Sequence, residues 1–180
     1  MITVEHTALE GLLILRPKIF RDDRGWFLES FNMRAFTEAT GVRTTFVQDN
    51  ESLSQAGVLR GLHFQAAPCA QQKLVRVIQG AVLDVCVDIR RDSPTFGRHV
   101  KVELTGEEKT MLFIPAGFAH GFRTLLDDTI FSYKCSDYYH PPSERTLLWN
   151  DPALGIDWGL AEPILSAKDK AGVPLEQLQP

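Results

Sequence analysis

Residues 57–65, GVLRGLHFQ, have the apolar content of a buried β-strand, but they include an arginine and a histidine. Large apolar side chains on both sides of Arg60 and His63 favour burial of the stretch. A lone histidine in such a run is more often a hydrogen-bonded core residue than a catalyst. The role of His63 therefore depends on the other motifs of the chain.

Short apolar runs cover the middle of the chain and are separated by Gly, Pro and Asp, which is typical of an all-β sandwich or barrel. In HVKVELT (99–105), Val and Leu alternate with Lys, Glu and Thr, as in a half-buried antiparallel strand. We predict strands in six runs: TTFVQDN (44–50), KLVRVIQG (73–80), AVLDVCVDIR (81–90), HVKVELTG (99–106), TMLFIPAG (110–117) and TIFSYKCSDYY (129–139).

Helical patterns are scarce. NMRAFTEATG (32–41) is a candidate helix with Asn32 as its N-cap and Gly41 as its stop, and VPLEQLQ (173–179) can form a turn or two. No repeat or linker divides the sequence. The 180 residues, 44% of them hydrophobic, predict one domain spanning residues 1–180.

The charge of the chain bears on its partners. A net charge of -4 and a pI near 5.7 argue against nucleic-acid binding, so an anionic ligand would need locally gathered arginines and lysines. The three widely spaced cysteines indicate buried thiols rather than disulfides. The apolar run Leu12–Leu15 is too short for a signal peptide or a membrane span, so we expect a cytoplasmic protein with no membrane partner.

Two stretches resemble the paired motifs of the cupin β-barrels, in which three histidines and a glutamate bind a metal ion. Gly57 is followed after five residues by His63, and PAGFAH (115–120) ends in His120 at the spacing of the second motif. The resemblance implies a cupin-like antiparallel β-barrel (jelly roll) with a few short peripheral helices.

The metal ligands of the cupin pattern are altered in this chain. Gln65 stands in place of the second histidine, Lys73 in place of the glutamate, and Thr124 in place of the asparagine that closes the second motif. An ammonium group repels a metal cation, and two histidines alone form a poor site for a divalent ion. We therefore expect no bound metal.

A barrel mouth with His63, Lys73 and His120 but no metal suits proton abstraction next to a carbonyl group. A neutral imidazole can remove the weakly acidic C–H proton, and the Lys73 ammonium can stabilise the enolate oxygen that develops. The alternative for Lys73 is an exposed strand lysine without a chemical role.

Nearly the whole chain is similar to one family, and several motifs in the same order carry the resemblance: RDDRGWFLESF (21–31), FVQDN (46–50), GVLRGLHFQ (57–65), QKLVRVIQGAVLDVCVDIRRDSPTFG (72–97), IPAGFAHGF (114–122), YKCSDYYHP (133–141), WNDPALGIDW (149–158) and LSAKDK (165–170). The chain resembles the dTDP-4-dehydrorhamnose 3,5-epimerases, sugar-nucleotide epimerases of the rhamnose pathway. The resemblance implies a dTDP-sugar substrate, no cofactor, and a homodimer that exchanges N-terminal strands.

The resemblance also implies roles for particular residues. His63 would be the general base, oriented by Asp169, and Tyr133 the general acid. The alternatives are that Asp169 only helps to start a C-terminal helix and that Tyr133 is packed in the barrel wall. Tyr139 would stack on the thymine, and the implied substrate contacts are Arg24, Glu29, Gln48, Asp49, Asn50, Arg60, Lys73, His120, Glu144 and Lys168.

The positions of Arg60 and His63 conflict with a regular strand, because residues three apart point to opposite faces. A bulge or bend at Gly61 would resolve the conflict, and so would the use of Arg60 from a neighbouring subunit.

Two other functional classes remain as alternatives. A metal-dependent cupin oxygenase or isomerase is one, and Gln65 and Lys73 argue against it. A non-catalytic sugar-binding cupin is the other, and the presence of Tyr133 and Asp169 beside His63 argues against it. The sequence does not decide between inversion of one sugar carbon and inversion of two.

Overall fold

The computed structural model describes residues 2–178 and consists mainly of β-strands. Its two short α-helices are α1 (Met33–Thr40) and α2 (Ala167–Lys170), and residues Pro141–Ser143 and Leu175–Gln177 form 3-10 turns. The strands are β1 (Ile2–His6), β2 (Leu13–Pro17), β3 (Phe20–Asp22), β4 (Gly25–Phe27), β5 (Gln48–Ser54), β6 (Leu59–Gln65), β7 (Lys73–Gln79), β8 (Ala81–Asp88), β9 (His99–Thr105), β10 (Met111–Ile114), β11 (Phe118–Thr124), β12 (Thr129–Cys135) and β13 (Glu144–Thr146).

Two antiparallel sheets form the barrel. The six-stranded sheet has the order β1-β2-β10-β7-β12-β5, and the five-stranded sheet has the order β13-β6-β11-β8-β9. Both sheets contribute to one buried apolar cluster, which includes Val75, Leu112 and Phe131 from the first sheet and Val82 and Phe122 from the second. The expected cupin-like jelly roll is therefore confirmed.

The outer faces of both sheets are covered by terminal segments of the chain. Helix α1 places Phe36 over Leu74 and Phe113 of the six-stranded sheet. Trp158 and Leu178, from the C-terminal segment, pack on the five-stranded sheet. The expected domain limits, residues 1 and 180, lie outside the described residues.

Most of the elements that local sequence patterns predicted are present, whereas β1 to β4, β11 and β13 were not predicted. Asn32 caps α1 by accepting the N–H groups of Arg34 and Ala35, and Gly41 ends the helix with φ +71°. Five of the six predicted runs contain a strand. The prediction for TTFVQDN was displaced, because β5 begins only at Gln48.

The displacement of β5 has a packing cause. Phe46 does not enter the sheet; its ring packs against Phe31 and Phe36, with centroids 5.4 and 5.8 Å away. The strand therefore starts after this aromatic cluster and continues to Ser54, through residues that are mostly polar. The VPLEQLQ prediction is confirmed by the 3-10 turn Leu175–Gln177, and its last residue lies outside the described residues.

Strand β6 contains a bulge between Arg60 and His63, which was one of the two explanations that the sequence left open. Between the facing pairs His63–His120 and Arg60–Phe122, β6 has one residue more than β11. The extra residue reverses the alternation of side chains. Arg60 and His63 therefore face the same cavity within one chain.

Glycine is required on both sides of this bulge. Gly61 has φ +135°, and a Cβ atom there would lie 2.5 Å from Cα of Gly121. A Cβ atom on Gly121 would in turn lie 2.6 Å from the carbonyl oxygen of Arg60. The two backbones approach more closely than any side chain would allow.

The structure also bears on the membrane and disulfide predictions. Within residues 2–178, no helix has the length and apolar character needed to span a membrane. Cys86 and Cys135 are buried free thiols, and Cys69 is a half-buried free thiol, as the sequence predicted.

Candidate active site

A groove between the two sheets contains most of the predicted site residues. It consists of two adjoining cavities of about 360 and 340 Å³ that share His63, Lys73, Tyr133 and Lys168. We call the first the Arg60 half; its lining also includes Arg60, His120, Ser166 and Asp169. We call the second the Tyr139 half; its lining also includes Gln48, Asn50, Gln65, Tyr139 and Glu144.

The titratable groups of the groove come from opposite walls. His63 and His120 belong to β6 and β11 of the five-stranded sheet, where they face each other in register. Lys73 and Tyr133 belong to β7 and β12 of the six-stranded sheet. A molecule between the sheets therefore meets imidazoles on one side and an ammonium and a phenol on the other.

His63 is paired with a buried carboxylate. Its Nε2 atom lies 2.7 Å from Oδ1 of Asp169, although a ring N–H would not point straight at that oxygen. Burial lowers the pKa of His63 below 6.5, and the Asp169 carboxylate only partly offsets this effect. The ring is therefore largely neutral at pH 7, and Nδ1 is the nitrogen left for a substrate proton.

Asp169 also organises helix α2. Its carboxylate accepts the Ser166 hydroxyl (2.6 Å) and the Gly61 N–H (3.1 Å), and Ser166 and Asp169 form the capping box of the helix. Burial alone would raise the pKa of Asp169, but these contacts and His63 hold it at about 2. The helix-starting role considered for Asp169 is thus real, and it coexists with the contact to His63.

Lys73 brings a positive charge into the groove from a half-buried position. Its Nζ atom donates to the carbonyl oxygen of His63 over 3.4 Å, and no carboxylate in residues 2–178 forms an ion pair with it. Burial lowers the pKa of Lys73. The alternative of an exposed strand lysine is therefore wrong, and the charge is available to an anionic oxygen in the groove.

Tyr133 lines both halves of the groove. Its phenol is largely enclosed, and burial raises its pKa, so it carries its proton at neutral pH. The ring of Phe131, two residues earlier on the same face of β12, supports it at 6.2 Å between centroids. The residue is thus both packed in the wall and exposed to the cavity.

A second histidine–carboxylate pair was not predicted from the sequence. Nε2 of His120 lies 2.9 Å from Oδ2 of Asp84, and the Cys86 thiol donates to Oδ1 of Asp84 over 3.8 Å. The sequence held a signal for this pair, because Asp84 is an acid between apolar residues in the middle of strand AVLDVCVD. A buried carboxylate there requires partners.

These residues do not fit the metal site of the cupins. His63 and His120 are each tied to a carboxylate, Lys73 is a cation, and the Gln65 amide is engaged with backbone groups. Asp84, Cys86 and His120 lie close together, but the Asp84 carboxylate is already engaged by the His120 ring and by the Cys86 thiol.

The rim of the Tyr139 half is held together by one carboxylate. Glu144 accepts the Tyr139 hydroxyl over 3.1 Å and the Lys168 ammonium over 2.8 Å. Burial alone would raise the pKa of Glu144, but Lys168 and Tyr139 lower it. Gln48 accepts the backbone N–H of Tyr139 over 2.8 Å, so the rim is joined to β5.

Three predicted substrate contacts lie outside the groove in the single chain. Arg24 is on the β3–β4 hairpin, where it pairs with Asp22. Glu29 is exposed and accepts a hydrogen bond from Asn32. Asp49 points away from the groove and forms an ion pair with Lys134.

A jelly-roll barrel with a neutral histidine on one wall, and a phenol and an ammonium on the other, has the design of a cupin-type acid–base enzyme. The family model described as dTDP-4-dehydrorhamnose 3,5-epimerase matches residues 6–177. The chain belongs to this family.

Individual relatives agree with this assignment. The dTDP-4-dehydrorhamnose 3,5-epimerase of Salmonella typhimurium is 54% identical over 178 residues, which is 98% of this chain and 97% of the relative. The crystal structure of dTDP-6-deoxy-D-glucose-3,5-epimerase from Legionella pneumophila, in complex with dTDP-4-keto-L-rhamnose, is 49% identical and covers 99% of this chain and 95% of its own, with a TM-score of 0.95. A 3'-monoepimerase from Streptomyces bikiniensis, in complex with dTDP-quinovose, is 37% identical over 94% of this chain and 86% of its own, with a TM-score of 0.89.

Proposed function

We propose that the protein epimerises dTDP-4-keto-6-deoxy-D-glucose at C3 and C5 to give dTDP-4-keto-L-rhamnose. The observation that supports this most directly is the placement of His63 and Tyr133 on opposite walls of one groove. Inversion of a carbon requires that a proton leaves one face and that another arrives on the opposite face.

The proposed chemistry uses only side chains of the groove. His63 takes the proton from C3 or C5, both of which adjoin the C4 ketone, and the electron pair moves onto the ketone oxygen. The Lys73 ammonium stabilises this enolate oxygen. Tyr133 then delivers its phenolic proton to the other face of the carbon, and exchange with solvent restores both residues.

The remaining residues of the groove suit the nucleotide. Arg60 and Lys168 supply positive charge for the diphosphate, and an arginine fork matches phosphate oxygens. Tyr139 is exposed at the rim and offers its ring face to the thymine. Gln48 and Asn50, on the inward face of β5, offer amides for the edge of the base.

We further propose a homodimer in which Arg24 and Glu29 serve the groove of the partner subunit. Among residues 2–178, the β3–β4 hairpin forms a separate two-stranded sheet and exposes Phe20, Trp26 and Phe27, the last of them by 68%. An exposed aromatic patch of this kind is typical of an interaction surface. Its Arg24 side chain is 90% exposed and would complete the charge that a diphosphate needs.

The cytoplasmic location expected from the sequence stays a prediction, which fractionation of expressing cells tests. The absence of a cofactor is likewise a prediction. The residue set that fits no cupin metal supports it, and dialysis against a chelator checks it.

An assay in heavy water tests the proposed reaction. The protein is incubated with dTDP-4-keto-6-deoxy-D-glucose, and the uptake of deuterium at each sugar carbon is followed by NMR. Deuterium at both C3 and C5 with inverted configuration is the expected result. Uptake at a single carbon identifies a mono-epimerase, and uptake at neither carbon rules out this substrate.

A further inference from the structure

Gln65 occupies the position of a cupin metal ligand, and the proposed reaction gives it no role. Its side chain is 6% exposed and lines the Tyr139 half of the groove. A buried primary amide needs hydrogen-bond partners, because an unpaired polar group in the interior is costly. The partners of Gln65 therefore indicate what the residue does.

The partners of Gln65 flank Tyr139. Its Nε2 atom donates to the carbonyl oxygens of Cys69 (2.7 Å) and Tyr138 (3.2 Å), and its Oε1 atom accepts the backbone N–H of His140 (2.7 Å). Both donor hydrogens and one acceptor site of the amide are thus in use. The side chain connects β6 to the backbone immediately before and after Tyr139.

We propose that Gln65 is a positioning residue that holds Tyr139 in place for the thymine base. The inference rests on the proposed function, in which Tyr139 is the stacking surface. The Tyr139 side chain is 54% exposed, and its hydroxyl bond to Glu144 fixes only one end of the ring. The orientation of the ring therefore depends on the backbone of residues 138–140. A base that stacks on a ring already in place loses less freedom on binding.

A direct contact between Gln65 and the substrate is a weaker explanation. Both donor hydrogens of the amide are already taken, so only the second acceptor site of Oε1 is open to a substrate donor. The backbone of β6 also pairs Gln65 with Glu144, the carboxylate that holds the Tyr139 hydroxyl. Gln65 thus fixes both the backbone of Tyr139 and the strand that carries its hydroxyl partner.

A double-mutant cycle on dTDP affinity, measured by titration calorimetry with dTDP itself, tests the proposal. Loss of an aromatic stacking partner raises the Kd for a base by roughly 5- to 150-fold, which is the change we expect for Tyr139→Ala. Gln65→Met should raise the Kd for dTDP by a smaller factor than Tyr139→Ala does. In the Tyr139→Ala background, Gln65→Met should add less than about twofold, because the ring it positions is gone.

The matched control is Gln79→Met. It removes the same type of amide-to-carbonyl bond, from Nε2 to the Asp128 carbonyl (3.2 Å), on β7 and outside the groove, and it should leave the Kd for dTDP unchanged. Gln65→Met should also raise KM while kcat stays within about twofold, since neither His63 nor Tyr133 contacts the amide. If Gln65→Met does not fold, Gln65→Glu keeps the acceptor for His140 and removes both donors.

The outcomes separate this inference from the proposed function. An unchanged Kd in Gln65→Met and Gln65→Glu, while Tyr139→Ala weakens dTDP binding, overturns the role of Gln65 alone. Full additivity of the two substitutions also overturns it, because Gln65 would then act through another group. If Tyr139→Ala leaves the Kd unchanged, the stacking role of Tyr139 fails and the inference fails with it, even where the heavy-water assay succeeds.

Discussion

Tyr133 and His63 face the substrate groove from different sheets, so a substitution at each should impair a different part of the reaction. Tyr133→Phe should still form the enolate and return a solvent proton to the original face. Deuterium exchange with retained configuration should persist, while inversion falls by roughly 100- to 10,000-fold. Mass spectrometry and NMR of the recovered sugar measure both rates. His63→Asn should lose exchange and inversion together, and inversion by Tyr133→Phe at the parental rate would remove the tyrosine from the mechanism.

The environment of His63 sets the pH range of the reaction. Burial lowers its pKa below 6.5, so the neutral base should persist below that pH, and the acid limb of kcat/KM should lie below pH 6.5. Asp169 raises the His63 pKa, so Asp169→Asn should move the limb to still lower pH and also reduce turnover. A kcat/KM profile of both proteins measures the shift. An acid limb above pH 6.5 would contradict the assignment.

Lys73 contributes charge rather than affinity in the proposed mechanism. Lys73→Met keeps the aliphatic stem and removes the ammonium, and turnover should fall by about 100- to 1000-fold, as for the loss of one oxyanion donor. Affinity for dTDP should change little, because dTDP lacks the keto sugar. Steady-state kinetics and calorimetry measure the two effects. Equal losses in turnover and in affinity for dTDP would make Lys73 a phosphate ligand.

At the scale of single elements, the bulge in β6 aligns Arg60 with His63 and depends on Gly61. Gly61→Ala would place a Cβ atom 2.5 Å from Cα of Gly121, in addition to straining a residue at φ +135°. Gly25→Ala is the matched control, since Gly25 has φ +127° but a Cβ atom there would meet no atom within 4 Å. Urea unfolding should show Gly61→Ala to be the less stable variant by roughly 1–3 kcal/mol. Equal stabilities of Gly61→Ala and Gly25→Ala would mean that the close contact with Gly121 is easily relieved.

Elements that depend on local pattern were predictable from the sequence, and contacts between distant residues were not. The alternation in β9 and the caps Asn32 and Gly41 of α1 are local signals, and they gave correct predictions. The start of β5 depends on the packing of Phe46, which no periodicity reveals.

The candidate site likewise has a part that the sequence predicted and a part that it did not. The cupin motif spacing predicted His63 and Lys73 in one groove, and the family resemblance added Tyr133, which lines the same groove. The pairing of His120 with Asp84 and the bonds from Gln65 to the 138–140 backbone require the folded barrel, because each joins separate strands or loops. For the pairing of His120 with Asp84, the sequence offered one clue, an acid between apolar residues in the middle of β8.

For the whole molecule, the proposed dimer makes a prediction about mixed subunits. His63→Asn and Arg24→Ala should each be inactive or strongly impaired as homodimers. If Arg24 acts in the partner's groove, a mixed dimer contains one groove with both residues intact and should have about half of the parental activity. Co-expression with two different tags isolates such dimers, and the heavy-water assay measures their activity. Mixed dimers without recovered activity would place Arg24 in the groove of its own subunit.

The contact between Asp169 and the β6 bulge has a consequence for biosynthesis. Asp169 follows its hydrogen-bond partner Gly61 by 108 positions, and it comes after all the strands of the barrel. While a ribosome is still extending the chain, the walls of the groove can therefore assemble around a His63 that lacks its carboxylate. Because Lys168 directly precedes Asp169, a nascent chain should complete the barrel strands before it gains either this diphosphate-binding charge or the carboxylate partner of His63, so binding and turnover should both appear late in synthesis.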